Sequence, residues 1–216
     1  MSRTDELKDW HYEKRCLKAI DALSKNGFTA NLCETKQDAI DYVLNEAATA
    51  NTIGLGGSLS LADLKLPQLL ESMKKELLIP NKQGLSNDEK LTIMHRHHTC
   101  DLFLSSANSV TETGIIVLME STGNRISSIL FGPKKVILVA GRNKITQDTE
   151  DAMRRIKKMV SPANCKRLNY NTPCVITGIC ADCNSPDRSC RITTILERKP
   201  KLADIHILVV NEDLGL

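Results

Sequence analysis

The run Lys135–Ala140 (Lys-Val-Ile-Leu-Val-Ala) is apolar at every position after the first. A strand with one face in water alternates apolar and polar residues. A strand without that alternation is covered on both faces, as in a parallel sheet with helices above and below it. Further short extended runs stand at Phe28–Cys33, Thr52–Leu55, Asp101–Ser105, Gly114–Met119, Ile192–Leu196 and His206–Val210. Amphipathic stretches separate most of them. In Gln37–Ala47, for example, Ala39, Ile40, Val43, Leu44 and Ala47 follow the helical period. This alternation specifies an α/β fold, a mainly parallel sheet flanked by helices. Thr52–Leu55, Leu102–Ser105, Ile115–Met119, Val136–Ala140 and Ile207–Val210 are expected to share that one sheet.

The other helices expected are Asp5–Lys25, Leu66–Leu78, Ser86–Arg96 and Asp148–Val160, with a shorter one beginning at Leu59–Leu64. In the first, Leu7, Trp10, Leu17, Ile20 and Leu23 lie near one face. Pro67 suits a first turn. Ser86 with Glu89 three residues on has the pattern of a capping box. Ser121–Asn124 reads as a turn, and Pro162 is expected to stop the helix before it. Residues 1–216 read as one domain. Residues 1–50 form an N-terminal helical region, and residues 161–191 a cysteine-rich loop region that begins at a composition shift near Ser161.

The charge balance is a mild +3, and aromatic residues are 3% of the chain. Neither the basic field nor the stacking platform of a nucleic-acid binder is present. The basic run Arg154–Lys158 alternates with Met153, Ile156 and Met159, as a solvated helix face does. No window approaches eighteen consecutive apolar residues, so no membrane partner is expected. The polar start, Met1–Trp10, lacks a signal-peptide core, and a cytoplasmic location follows. There the eight cysteines are expected to be mostly reduced, so clustering points to metal or redox chemistry before disulfides.

Three groups of residues could carry chemistry. Gly54-x-Gly56-Gly57-Ser58 leaves a strand and precedes a helix, where backbone N–H groups and the Ser58 hydroxyl can meet an anion. The spacing is neither that of a Walker loop nor that of a dinucleotide fingerprint, and a tight turn capped by Ser58 also fits. Asn108, Thr111 and Glu112 precede the run Ile115–Met119, and Asn124 and Arg125 follow it. A hairpin would bring both sets to one end of the sheet, where α/β folds bind ligands. Arg125 suits a carboxylate or phosphate, and Glu112 is the candidate for acid–base or nucleophilic work. Turn chemistry with a solvated Glu112 fits the same residues. Finally, Cys174, Cys180, Cys183 and Cys190 fall within seventeen residues, with Cys165 shortly before them. Four thiolates would suit zinc or an iron–sulfur cluster, although the spacing matches neither a zinc ribbon nor the bacterial ferredoxin run. Buried thiols and a redox pair at Cys180 and Cys183 are the alternatives. His95, His97 and His98, near Cys100 and Asp101, read as an exposed helix end, with a pair of metal ligands at His95 and His98 as the alternative.

Four segments together resemble the lactate-utilisation (LUD) domain family: Gly54–Ser58; Ser106–Gly114; Thr122–Arg125 with Phe131–Val136; and Val139–Ile145. The tail Pro173–Arg191 and the ending Val210–Gly215 resemble its short bacterial members, and the likeness runs from about residue 50 onward. The resemblance implies a NagB/RpiA/CoA transferase-like fold, a role in lactate or related organic-acid utilisation, and a small anionic metabolite as ligand. Other lactate-utilisation proteins and a second copy of the chain are the partners it allows. Rival readings are an isomerase, transferase or cyclo-ligase acting on an anionic metabolite, and a metal-dependent electron-transfer or assembly partner built on the cysteines.

Overall fold

The computed structural model describes residues 2–216. Its elements in chain order are α1 (Arg3–Lys25), β1 (Thr29–Cys33), α2 (Lys36–Thr49), β2 (Thr52–Leu55), α3 (Leu59–Asp63), α4 (Leu66–Ser72), β3 (Glu76–Leu78) and α5 (Asn87–Arg96). There follow β4 (Leu102–Ser106), β5 (Ser109–Thr111), β6 (Ile116–Glu120), α6 (Asn124–Leu130), β7 (Lys135–Gly141), β8 (Ile145–Thr146) and α7 (Thr149–Arg155). A π-helical turn (Ile156–Val160) leads into α8 (Ser161–Arg167), then α9 (Pro173–Thr177), β9 (Ile192–Leu196) and β10 (Ile205–Val210).

Six strands form one sheet in the order β1-β10-β7-β4-β2-β3, and every neighbouring pair is parallel. The expected α/β architecture is therefore present, with β7 and β10 in the interior of the sheet. The strand period of two sorts their side chains between two cores. Val136, Leu138, Ala140, Ile205, Ile207 and Val209 pack with Cys16, Ala19 and Leu23 of α1. Ile137, Val139, Leu208 and Val210 pack on the other face with Ala39, Val43 and Ala47 of α2 and Leu61, Leu66 and Leu70 of α3 and α4.

The expectation for Ile115–Met119 is corrected. β6 lies in a second sheet, ordered β8-β5-β6-β9, where it runs antiparallel to both β5 and β9. Only the short turn after Thr111 joins β5 to β6. A parallel return needs a crossover of about a dozen residues or more, so so short a link forces a hairpin. This hairpin is spliced between β4 and β7, and α6 carries the chain back to the main sheet. Ile116 and Leu118 point into the α1 core, while Val117 and Met119 meet Ala152 and Ile156 on the other side.

Four further expectations change. The buried stripe of α1 is Cys16, Ala19 and Leu23, whereas Leu7, Trp10 and Leu17 are exposed. The stretch Leu66–Leu78 splits, because Lys74 takes a left-handed conformation and releases Glu76–Leu78 to pair with β2. Asn124 opens α6, a helix marked by Ile126, Ile129 and Leu130 that the turn reading passed over. Pro162 does not end the helix before it. In the wide turn Ser161 N–H reaches the Ile156 carbonyl. That places Pro162 in the first turn of α8, where a missing N–H is tolerated. The capping box of Ser86 and Glu89 is present as expected, with Glu89 N–H donating to Ser86 Oγ and Ser86 N–H to Glu89 Oε2.

α1 is seated on the hairpin turn at Gly114. This glycine has φ +75°, and a Cβ there would stand 2.5 Å from the backbone carbon of Ala22. Asn26, at the end of α1, donates to the carbonyls of Thr113 and Gly114. Gly114→Ala should combine left-handed strain with a clash against a helix backbone that cannot move alone. A stability loss on the order of 2–4 kcal/mol is expected, measured by urea unfolding. A change within error would show that α1 is not locked to the hairpin.

Candidate functional site

Where the parallel strands end, the backbone ladder stops and loops diverge. A cavity of about 280 Å³ lies there. Gly57 and Ser58 follow β2, Asn81 follows β3, Ser106 ends β4 and Asn108 follows it, and Lys144 follows β7. The far wall is made by Glu120, Asn124 and Arg125, and by Ser161, Asn164 and Arg167 of α8. The main sheet thus supplies one side, and the hairpin with α6 and α8 the other.

Of the residues expected to bind a ligand, Gly57, Ser58, Asn108, Asn124 and Arg125 line this cavity. Gly54 and Gly56 lie beneath it. A Cβ on Gly54 would come within 2.9 Å of both His97 and Phe103, and one on Gly56 within 2.9 Å of Ser105 Oγ and 3.1 Å of the Arg125 stem. They are glycines because aromatic and arginine side chains pack on the backbone there. Thr111 is buried in the hairpin turn, where its hydroxyl meets Thr113 Oγ1 at 2.8 Å and accepts from Ile115 N–H at 2.9 Å. It ends β5 and does not line the cavity.

Glu112 stands apart from these residues. It lies outside the cavity, accepting from Arg15 Nε at 2.7 Å and Lys18 Nζ at 3.0 Å, both from α1. Burial pushes its carboxyl up, but the hydrogen bonds and charges of Arg15 and Lys18 outweigh that and hold it below its ordinary value. A carboxylate so stabilised is a poor proton acceptor. Its role is to tie α1 to the hairpin.

Arg125 is largely committed to the protein. Its Nε donates to Glu120 Oε2 at 3.2 Å, and its terminal nitrogens donate to the Ser106 carbonyl, the Asn108 side chain and the Met119 carbonyl at 3.2–3.3 Å. Glu120 also accepts from Ile126 N–H at 2.9 Å. The open fork expected for an incoming acid is therefore mostly occupied. Asn108 Oδ1 is occupied too, accepting from Met119 N–H and Arg125, which leaves its Nδ2 as the group that can donate into the cavity. Ser58 Oγ donates to Ser106 Oγ at 2.8 Å and accepts from Leu61 N–H. The helix that Ser58 caps, α3, is only five residues long, so local N–H groups matter there more than a helix dipole.

The residue sequence reasoning missed is Lys144. It is 3% exposed, yet it forms part of the cavity wall. Its Nζ donates to Ser60 Oγ at 2.7 Å and the Ala107 carbonyl at 3.3 Å, and no carboxylate forms an ion pair with it among the described residues. Burial disfavours the ammonium, repulsion from Arg155 and Arg125 adds to that, and Asp63 opposes it more weakly. The result is an amine lowered to about 7. The lone available signal was its place in Gly141-Arg142-Asn143-Lys144 at the end of the strongest strand.

The LUD domain family model matches residues 16–210. The chain belongs to the LUD domain family. A search of curated proteins gives no match. Among solved structures, this LUD domain is similar to a DUF162 family protein from Deinococcus radiodurans, at 16% identity and a TM-score of 0.47, over 97% of this chain and 99% of that one. No described helix is long and apolar enough to cross a membrane.

The cysteines of this LUD domain divide in two. Cys16, Cys33 and Cys100 are core residues whose thiols burial pushes up to about 11. Cys165, Cys174, Cys180, Cys183 and Cys190 surround one cleft of about 10 Å³. All are free thiols. Cys165 Sγ lies 3.0 Å from Ser189 Oγ, and Cys174 Sγ lies 3.2 Å from Thr172 Oγ1. The fold does bring Cys174, Cys180, Cys183 and Cys190 together. Among the described residues, no three Cys, His, Asp or Glu side chains are arranged to hold a metal ion as they stand. His97 is not at an exposed helix end either. It is buried, with Nε2 2.9 Å from the Leu78 carbonyl and its ring 5.0 Å from that of Phe103.

Two stability tests follow. Arg125→Ala should destabilise by on the order of 3 kcal/mol, because it strips the cation from the nearly buried Glu120. Equilibrium unfolding measures this, and a loss below the error would mean that Glu120 finds another partner. For Lys144, the unfolded chain holds a proton between pH of about 7 and 10.5 that the folded chain does not. The resulting cost is full below about 7 and fades as the pH rises toward 10.5. Lys144→Met should therefore raise the melting temperature most below about pH 7, with a gain that shrinks at alkaline pH. A gain independent of pH would show that Lys144 keeps an ordinary amine in the folded state.

Proposed function

We propose that this cytoplasmic LUD protein binds a small carboxylate-bearing metabolite in the cavity at the strand ends and serves lactate or related organic-acid utilisation. What carries the reading is an excess of positive charge around the cavity, with one of its cations, Lys144, buried. Arg125, Lys144 and Arg167 line the cavity, and Arg155 stands close enough behind Lys144 to repel it. The one acidic side chain in the wall, Glu120, is already paired to Arg125. An anion supplied by a ligand would offset a cost that the protein otherwise bears alone. Asn108 Nδ2, Asn124 and the Ser58–Ser106 hydroxyl pair give the polar contacts that would orient it. The place is also where open parallel sheets bind ligands. Family membership supports the link to organic-acid utilisation.

In this reading Lys144 is the charge that changes on binding, and Arg125 is the frame around it. A bound carboxylate raises the Lys144 amine, so binding takes up a proton above pH of about 7. Calorimetric titration with lactate, an acid that has no reactive carbonyl, should show affinity falling as the pH rises past that value. The fall is at most about tenfold per pH unit, since one pKa unit corresponds to about 1.4 kcal/mol. Lys144→Met should bind weakly and without the pH dependence. Lactate affinity that is flat with pH, or equal in both proteins, would remove Lys144 from the binding site. Failure of lactate, pyruvate, phosphate and other small acids to bind the wild-type protein would remove the reading itself.

A further inference from the structure

We propose that Lys144 is a nucleophilic amine that forms an imine with a small oxo acid bound in the cavity. The inference rests on the acid-binding reading and adds to it a substrate class and a covalent step. Three observations carry it. First, Lys144 is buried but borders open cavity space. Second, its Nζ is held only by acceptors, Ser60 Oγ and the Ala107 carbonyl, which aim the nitrogen without supplying a negative charge to keep it protonated. Third, the charges that act on it most strongly are the guanidinium groups of Arg155 on α7 and Arg125 on α6, and Asp63 at the end of α3 opposes them more weakly. A lysine kept solely as an anion clamp would be served by a nearby carboxylate that holds its proton. This surrounding does the reverse, and desolvated lysines next to other cations are the ones that react with carbonyls.

The class of carbonyl compound follows from the rest of the wall. The cation excess and the Asn108 and Asn124 amides favour a carboxylate, and the volume of about 280 Å³ suits an acid of a few carbons. In the step itself the neutral amine adds to the carbonyl carbon and a C–N bond forms. The proton leaving nitrogen passes to the former carbonyl oxygen, giving a carbinolamine. That hydroxyl takes one proton from solvent through the cavity mouth and departs as water, leaving a protonated C=N bond. One amine, one carbonyl and one proton thus yield one iminium and one water, with no change of oxidation state. The iminium retains a positive charge beside the bound carboxylate, which the site is suited to stabilise.

The test uses the full chain with pyruvate and borohydride, read by intact mass and peptide mapping. Hydride reduces the C=N bond to a stable secondary amine, so the expected product carries a single carboxyethyl group on Lys144. Excess lactate should suppress it, because lactate competes for the cavity but has no carbonyl. Lys144→Arg and Lys144→Met, checked for folding by circular dichroism, should lose the label. Lactate and pyruvate binding is measured in parallel on the untreated protein. If both acids bind but no label forms, or label scatters over surface lysines, the imine is refuted while the acid-binding reading stands. If Lys144 is labelled although lactate has no affinity, the imine stands and the reading of a general carboxylate site fails. If neither acid binds and no label appears, both are refuted.

Discussion

The ion pair between Arg125 and Glu120 joins parts of the molecule that the chain alone leaves separate. Arg125 reaches the Ser106 carbonyl at the end of β4 in the main sheet and the Met119 carbonyl of β6 in the second sheet. Glu120 ends β6 and holds the first turn of α6 through Ile126 N–H. One guanidinium thus bridges the two sheets at the cavity end, with Asn108 sharing it, while Ile116 and Leu118 join them through the α1 core. Because both partners are nearly buried, with side chains 12% and 11% exposed, solvent weakens the pair little. The cavity is the gap left beside this joint. Its shape follows from where the pair pins the hairpin, and the groups aimed into it are those that the pair leaves unused.

Lys144 stands in a different relation to the fold. The packing around it adds guanidinium groups to an amine already deprived of water, which costs stability at neutral pH. Such an arrangement is at odds with stability as the sole design aim, and residues of that kind concentrate where chemistry or binding is done. The contrast with Glu112 is instructive. Glu112 is surrounded by opposite charge from α1 and is made a better-behaved ion. Lys144 is surrounded by like charge and is made a poorer one. Two ionisable side chains, one just past β5 and the other between β7 and β8, thereby become a brace and a destabilised amine.

The parts of this arrangement legible in the sequence are those fixed by local pattern. The apolar run of β7 gave its burial on both faces, and the alternation of runs and helices gave the parallel sheet. Gly57, Ser58, Asn108, Asn124 and Arg125 could be gathered because they flank strand ends. What pattern does not carry is which partner a charge meets across the fold. Nothing near Glu112 in sequence announces Arg15 and Lys18, close to a hundred residues earlier. Nothing near Lys144 announces its burial between Ser60 and Ala107. The apolar content of β6 was plain, but its sheet was decided by the length of the turn before it. The cysteines were seen as a group, and the sulfur directions that would make a ligand set depend on loops with little periodicity to read.

The π-helical turn between α7 and α8 sets the phase of one cavity wall. Ala152, before it, and Ile156, its first residue, pack on the second sheet. Val160, its last residue, then Ser161, Asn164 and Arg167 of α8 and Leu168 just past it, line the cavity. One residue in an α-helix corresponds to a rotation of about 100°. The extra residue in the wide turn therefore acts as a fixed angular offset between a face that serves the core and a face that lines the cavity. A chain one residue shorter there would spare the irregular hydrogen bonds and preserve both stripes. It would nevertheless swing Ser161 and Asn164 out of the wall, so the irregular turn is a matter of rotational bookkeeping in which a poorer helix gives a better-aimed one.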